Sequence, residues 1–345
     1  MESRVYAEDP TRNFLPSIGG LSKYQEPEKV RNETEVVRVD SGILEGSEIS
    51  VHYDPMISKL VTWGKTREDS IKTMAKALDS YVIRGVRNNI AFCRALCTHP
   101  KYLAGDISTD FIKDFYPEGY FPDELSQKKR RLIAASALSM FVDMDEADNH
   151  GTFEDEFWNL GSDITEQYVV GVNMPGSQVL LTEKEPIRLE RSHVRRFCFE
   201  DDDELTFRDQ EWQGPHDSLF EAVTEDDEEV VLEFVQRLPQ GIRVQVSGTE
   251  YDVSILTPRE HELSSHMIPK EEIDLSKSLL SPMPGALVSV AVEVGDEVEP
   301  GQELAVVEAM KMQNVLRAEQ KGKVKGVVAS AGSSLEVDQL ILEFE

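Results

Sequence analysis

The chain has 345 residues, 40% of them hydrophobic, a net charge of −29 at pH 7 and a pI near 4.6. That length suffices for two or three domains of roughly 100–200 residues. The acidity argues against nucleic acid as a partner, because phosphate contacts need clustered Lys and Arg. No apolar run approaches the roughly 20 residues of a membrane span, so no membrane partner is expected.

The chain opens on MESRVYAEDP, in which ESRVYA reads as a strand with no lead-in, like the tail of a longer domain, and no secretory or transit pattern precedes it. Short strand-like runs follow: EVVRVD, EISVHY and ISKLVTW, separated by turn residues. Ile71, Met74, Ala75, Leu78 and Val82 then recur on one helical face, with Thr66 and Asp69 spaced as a capping box at its start. Further helices are expected over 88–97 and 108–115. Residues 1–120 thus form a mixed α and β block.

The three cysteines, Cys93, Cys97 and Cys198, offer neither a disulfide framework nor metal spacing, and a reducing compartment is expected. Cys93 and Cys97 lie four apart on a predicted helix and are read as packing residues.

A second block spans residues 126–257. It opens on QKKRRLIAASALSMFVDM, apolar nearly all round from Leu132 to Val142, which calls for a helix buried on every side. Strand-like segments follow: EQYVVGV, QVLLT, PIRLERSHVRRFCFE, EVVLEFV, GIRVQV and EYDVSIL. Ile242, Val244 and Val246 alternate, as do Tyr251, Val253 and Ile255, with Ser247-Gly248 as a hairpin turn between them. A sheet or barrel of six or so strands wrapped round one helix is the expected architecture. The acidic runs from Asp201 and Glu225 read as solvated loops. Residues 258–279 lose periodicity, carry Pro258 and Pro269 and read as a linker; His261 and His266 within it lack a third metal ligand, so no metal site is expected.

The last block, residues 280–345, repeats itself at an offset of 37 residues, with Gly285/Gly322, Gly295/Gly332, Glu299/Glu336, Gln302/Gln339 and Glu308/Glu345 identical. Apolar positions coincide as well, among them Val298/Leu335 and Leu304/Ile341. Two similar β-motifs about a pseudo-twofold axis are implied, since neither half can bury its face alone. Lys311 falls just after the first copy, in VVEAMKMQNV, at the turn joining the halves. By itself a lysine there is a hydrated charge of little chemistry. Met310 and Met312 beside it are flexible apolar groups suited to contact with a protein that handles the lysine.

SPMPG followed by VVEAMKMQN resembles the biotinyl domain of biotin-dependent carboxylases. The resemblance implies a flattened (hammerhead) β-barrel of two half-motifs, biotin joined covalently to Lys311, and recognition of Met310 and Met312 by a biotin protein ligase. Lipoyl domains share the fold but typically carry D-K-A at the lysine. ESRVYAEDP and YDPMISKL resemble the C-terminal lobe of biotin carboxylase, an ATP-grasp enzyme. The helix-and-barrel block resembles the domain joining the carboxylase and carrier parts in the α subunits of acyl-CoA carboxylases of the propionyl-CoA type. Gln313-Asn314 stands where the methylcrotonoyl enzymes usually have Glu-His.

The resemblance carries over one catalytic residue, Arg4, an arginine thought to stabilise the biotin enolate; Ser3 replaces the usual Cys before it. It further implies a carboxyltransferase β subunit as partner, which binds propionyl-CoA. ATP with Mg²⁺ or Mn²⁺ would be required only in a longer subunit, since no glycine-rich phosphate loop is found. A eukaryotic form would work in the mitochondrial matrix and a bacterial one in the cytoplasm. The expectation is therefore a multidomain α+β chain, a carrier and docking part inactive alone. The alternatives are a free-standing biotinylated carrier or scaffold, or part of a methylcrotonoyl-CoA carboxylase α subunit.

Overall fold

The computed structural model describes all residues except 51–53, 118, 150–163, 176–183, 192–194, 268–277, 300, 310–311, 319–320 and 345. At the N-terminal end, strand Met56–Gly64 is the centre of a three-stranded antiparallel sheet, flanked by Glu2–Tyr6 and Glu35–Ser41. Helix Arg67–Asp79 packs on that sheet through Ile71, Met74, Ala77 and Leu78. Its start is the expected capping box. The Thr66 hydroxyl accepts from the Asp69 amide at 3.1 Å, and the Asp69 carboxylate accepts from the Thr66 amide at 3.1 Å.

The helix stops before Val82, which is fully buried but belongs to the next strand, Val82–Arg84. Its position on the helical stripe was a coincidence of spacing, because Ser80 already closes the helix. EISVHY also yields less strand than expected, only Glu48–Ile49, and residues 51–53 lie outside the description. Later helices run over Ile90–Leu96, Pro100–Ala104 and Phe111–Phe115.

Helix Gln127–Asn149 runs through a closed barrel of eight antiparallel strands: Ile164–Asn173, Glu185–Arg191, Arg195–Phe199, Glu204–Glu211, Leu219–Thr224, Glu229–Leu238, Gly241–Val246 and Thr249–Leu256. Each strand pairs with the next, and the last pairs with the first to close the ring. Leu138, Met140, Ala135 and Ala137 on the helix are fully buried, as are Phe197, Phe220, Ile242 and Val253 on the strands. Burying each Leu, Ile, Phe or Met side chain contributes roughly 1.5–3 kcal/mol, so helix and barrel stabilise each other. The two-residue turn at Ser247 (φ 50°) and Gly248 (φ 78°) has the left-handed backbone that the sequence called for.

Eight strands form because Glu204–Glu211 and Leu219–Thr224 are also barrel members and the segment read as PIRLERSHVRRFCFE is two strands, Glu185–Arg191 and Arg195–Phe199. Glu204, Asp209 and Glu211 obscure the alternation of the first, and the second is only six residues long; Phe207 and Phe220 are both buried. The segment expected as QVLLT lies outside the described residues.

The acidic run at 201–203 is not merely solvated. Arg131, near the start of the buried helix, is itself 7% exposed; it pairs with Glu185, with Asp201 at 3.0 Å and with Asp203 at 2.7 Å, and its guanidinium lies 4.4 Å from the Phe199 ring centre. Arg195 answers from a strand, binding Asp143 and the Ser139 carbonyl of the helix. These reciprocal clamps fix how far the helix slides along the barrel axis.

The segment read as a linker begins with structure. Helix Pro258–Ser264 follows directly from the barrel, with Thr257 and Glu260 as a capping box and Pro258 in its first turn. Helical periodicity is invisible over two turns, but the capping residues were readable. Residues 268–277 lie outside the description.

Replacing Arg131 by Ala strands three carboxylates around the helix start. We expect a loss of about 2–3 kcal/mol of unfolding free energy, read from urea titration of the intact chain. A change within error would mean the acidic loop takes no part in holding the helix.

Candidate carrier site

Residues 278–344 form two four-stranded sheets. One has the order Ser278–Leu280, Leu340–Phe344, Gly322–Val327, Glu297–Val298; the other has Met312–Arg317, Glu303–Ala309, Gly285–Val290, Ser334–Leu335. The 37-residue repeat maps one sheet onto the other strand by strand, and each sheet takes its short strand from the opposite half.

The repeated residues make repeated bonds. The Glu299 amide donates to Gln302 Oε1 at 3.0 Å, and the Glu336 amide to Gln339 Oε1 at 2.7 Å. Gly295 donates to Val324 O at 2.8 Å, while Gly332 donates to Leu287 O at 2.7 Å. The shared core includes Leu287, Val298, Leu304, Val307, Val324, Leu335 and Ile341.

Strands Glu303–Ala309 and Met312–Arg317 pair as a hairpin with Ala309 opposite Met312. Met310 and Lys311 fall between them in sequence. Both residues, and the side chain of Met312, lie outside the described residues.

The surroundings of that hairpin end are described. One row across the sheet reads Gln313, Glu308, Ala286, Ser334. Gln313 Nε2 donates to Glu308 Oε2 at 2.9 Å across the hairpin. Gly285 lies against the same strand so closely that a Cβ on it would sit 2.5 Å from the Glu308 carbonyl oxygen. Just before it Met283 is buried, and its carbonyl accepts from the buried Ser281 hydroxyl at 2.7 Å. The SPMPG motif is thus a backbone wedge beside the lysine hairpin, and only glycine allows the approach.

Arg4 sits on the exposed face of strand Glu2–Tyr6, its Nε 3.0 Å from Glu2 Oε1. Ser3 and Val5 turn inward on that strand. Among the described residues, the polar contacts between this lobe and the carrier sheets come from Arg12 rather than Arg4. Arg12 donates to the Pro282 carbonyl and to Asp338 Oδ1, each at 3.0 Å. Burial pushes the Cys93 and Cys97 thiols up to about 11, as suits packing residues. His261 and His266 are exposed.

Two functional features escaped the sequence. Asp338 departs from its repeat mate Gly301, a signal that the repeat alignment contained. Arg84 of the lobe and Glu233 of the barrel carried no such signal. Arg84 Nε donates to Glu233 Oε1 at 2.6 Å, and its other nitrogens reach the carbonyls of Phe234 and Val235. Gln245 donates to the second Glu233 oxygen at 3.0 Å. Arg84, Glu233, Val235 and Gln245 line a cleft of about 640 Å³ where lobe, barrel and carrier meet, with Arg12, Arg87 and Asp338 also in its wall.

Three family models match the chain in sequence order: the biotin carboxylase C-terminal domain over residues 2–114, the propionyl-coenzyme A carboxylase BT domain over 135–270, and the biotin-requiring enzyme (biotin-lipoyl) domain over 277–344. Together they give the chain the domain make-up of a biotin-dependent carboxylase subunit. More narrowly, it matches the C-terminal part of propionyl-CoA carboxylase alpha chains. It is 38% identical to that of Ruegeria pomeroyi over the whole of this chain and 51% of the relative. To the mitochondrial alpha chain of Homo sapiens it is 39% identical over the whole of this chain and 46% of the relative. The chain spans about half the length of the curated relatives it matches. A solved biotin carboxylase domain of a thermophilic 2-oxoglutarate carboxylase is 29% identical, covering 35% of this chain and 26% of its own, with a TM-score of 0.32.

Glu233 is 3% exposed, and burial raises its carboxyl from 4.5 to about 7 despite the pull of Arg84. The folded state therefore holds a proton that the unfolded chain releases above about pH 4.5. Stability from this group is complete below that value and is lost as pH rises through about 7. Over that window the wild-type chain should lose on the order of 3 kcal/mol more than Glu233→Gln, read as unfolding free energy at about pH 5 and about pH 8. Parallel pH profiles would show that Glu233 ionises freely in the fold.

Proposed function

We propose that Lys311 carries biotin in amide linkage and that this chain is the carrier and docking part of an acyl-CoA carboxylase α subunit of the propionyl-CoA type. What supports the reading is the place of the Lys311 motif in the sequence, between the paired strands Glu303–Ala309 and Met312–Arg317, the first of which carries Glu308 against the glycine wedge at Gly285. The residues present fit the group: Gly285 brings its backbone against Glu308 without side-chain bulk, on the strand that leads in sequence to the lysine.

Biotin supplies a ureido nitrogen that takes up and gives away a carboxyl group. The chain's own part is presentation. The paired strands Glu303–Ala309 and Met312–Arg317 flank the attachment point in sequence, and the covalent connection to the barrel keeps its local concentration high. Met310 and Met312 serve recognition by a biotin protein ligase.

Arg4, on an exposed strand face, is the residue of the lobe proposed to face the ureido ring. The helix-in-barrel unit would dock a carboxyltransferase β subunit that binds propionyl-CoA, giving methylmalonyl-CoA. ATP and Mg²⁺ or Mn²⁺ would act in the longer subunit. Its compartment would be the mitochondrial matrix in a eukaryote and the cytoplasm in a bacterium.

Intact mass and peptide mapping after co-expression with a biotin ligase should find one biotin adduct, on Lys311, and none in Lys311→Ala. A folded wild-type chain without the adduct would overturn the carrier reading, and a lipoyl mass would reassign it.

A further inference from the structure

Among the described residues, the carrier meets the N-terminal lobe at a small, built contact. On the lobe side, a short 3₁₀ turn, Pro10–Arg12, is capped by Asp9, whose carboxylate accepts from the Thr11 amide at 2.9 Å. The next two residues, Asn13 (φ 53°) and Phe14 (φ 59°), both adopt left-handed backbone. For a phenylalanine that conformation is strained and persists only where the surroundings enforce it. Here the Phe14 amide donates to Asp9 O at 2.8 Å, its ring stands edge-on to Phe92 at 4.9 Å, and Tyr120 N ties down Pro10 O at 2.8 Å. The turn so held offers Arg12 to Pro282 and Asp338, and Leu15 to the apolar core of the carrier.

On the carrier side the repeat supplies an internal control. Asp338 (φ 59°) and its mate Gly301 (φ 83°) occupy equivalent left-handed turns, and their amides donate equivalently, Asp338 to Ser281 O at 2.8 Å and Gly301 to Ala318 O at 2.7 Å. Glycine is the unstrained choice in such a turn; aspartate is tolerated there. What aspartate adds is a carboxylate, and Arg12 receives it.

The two turns also differ in place. Gly301 lies at the base of the lysine hairpin, where its carbonyl accepts from Arg317. Asp338 follows Leu335, which pairs with Gly285, the glycine wedged against Glu308 beside the hairpin end. The charged turn is therefore the one at the lysine-bearing end.

We propose that the Pro10–Leu15 turn is a reversible docking point for the lysine-bearing end of the carrier, with the Arg12–Asp338 pair selecting that end over its pseudo-symmetric equivalent. Its functional meaning rests on Lys311 being the carrier lysine; the docking itself does not. In a chain of net charge −29, a single cation set against one carboxylate is a selective mark. The pair is open to water, Arg12 being 37% and Asp338 58% exposed, so it holds weakly and is screened by salt. Such a contact releases the carrier as readily as it holds it.

The test is nanosecond fluorescence anisotropy of the whole chain, labelled at Ser330→Cys, an exposed carrier position, in a Cys93→Ser background because Cys93 is only partly buried; burial protects the remaining thiols Cys97 and Cys198. At low salt the wild-type carrier should tumble with the whole chain. Arg12→Glu, and Asp338→Asn (which keeps a residue tolerant of the turn), should each shrink the amplitude of the slow component, as should high salt in the wild type. Leu15→Ala should lose part of it. Identical decays in wild type, Arg12→Glu and Asp338→Asn would overturn the proposal, as would a wild-type carrier with no slow component. The intact mass of the same samples reports Lys311 separately, so failure of docking and failure of biotin attachment are told apart.

Discussion

From Leu132 to Val142 the helix Gln127–Asn149 has no face that can meet water. A surface helix buries one stripe; this one must be enclosed, and enclosure by strands requires a ring with no free edge. The eight-stranded barrel follows from that demand, and the two arginine clamps, Arg131 and Arg195, set the helix within it. The barrel in turn presents Glu233 and the Ser247–Gly248 turn to the N-terminal lobe. Gly248 approaches Ala91 so closely that a Cβ would lie 2.4 Å from its amide nitrogen. The lobe, thus fixed, offers Arg12 to the carrier.

The junctions weaken in that order. Helix and barrel share a continuous apolar core, so they form one unit. Lobe and barrel meet through a nearly buried ion pair, Arg84–Glu233, whose carboxylate carries a burial penalty that its partner only partly offsets. Lobe and carrier meet through an exposed ion pair, a carbonyl contact and one leucine. A gradient from fixed to releasable suits the carrier role proposed for the last domain.

The carrier shows how a repeat can be kept in the core and broken at the surface. Gly295 and Gly332, or Glu299 with Gln302 and Glu336 with Gln339, are retained because both halves need the same turn and the same side-chain bond. Gly301 and Asp338 differ although their backbones agree, and the difference faces another part of the chain. In a pseudo-symmetric fold, a broken identity at a conserved conformation marks where the outside world enters.

Local chemistry was legible in the sequence. The Thr66–Asp69 capping box, the Ser247-Gly248 turn, the all-round-apolar helix and the 37-residue repeat each depend on residues a few positions apart, or on a pattern that every copy must satisfy. The stretch around Lys311 was legible by its resemblance to a known motif. Tertiary structure decided the rest. It put Val82 in a strand, since burial alone does not distinguish a helical stripe from a buried strand, and it recruited Glu204–Glu211 and Leu219–Thr224 to the barrel because ring closure demands partners on both edges. It brought Arg131 to Asp201 and Asp203, Arg84 to Glu233, and Arg12 to Asp338 across separations of 70, 149 and more than 300 residues. Charges so far apart leave no trace in local pattern; their pairing exists only once the chain has folded around its buried helix.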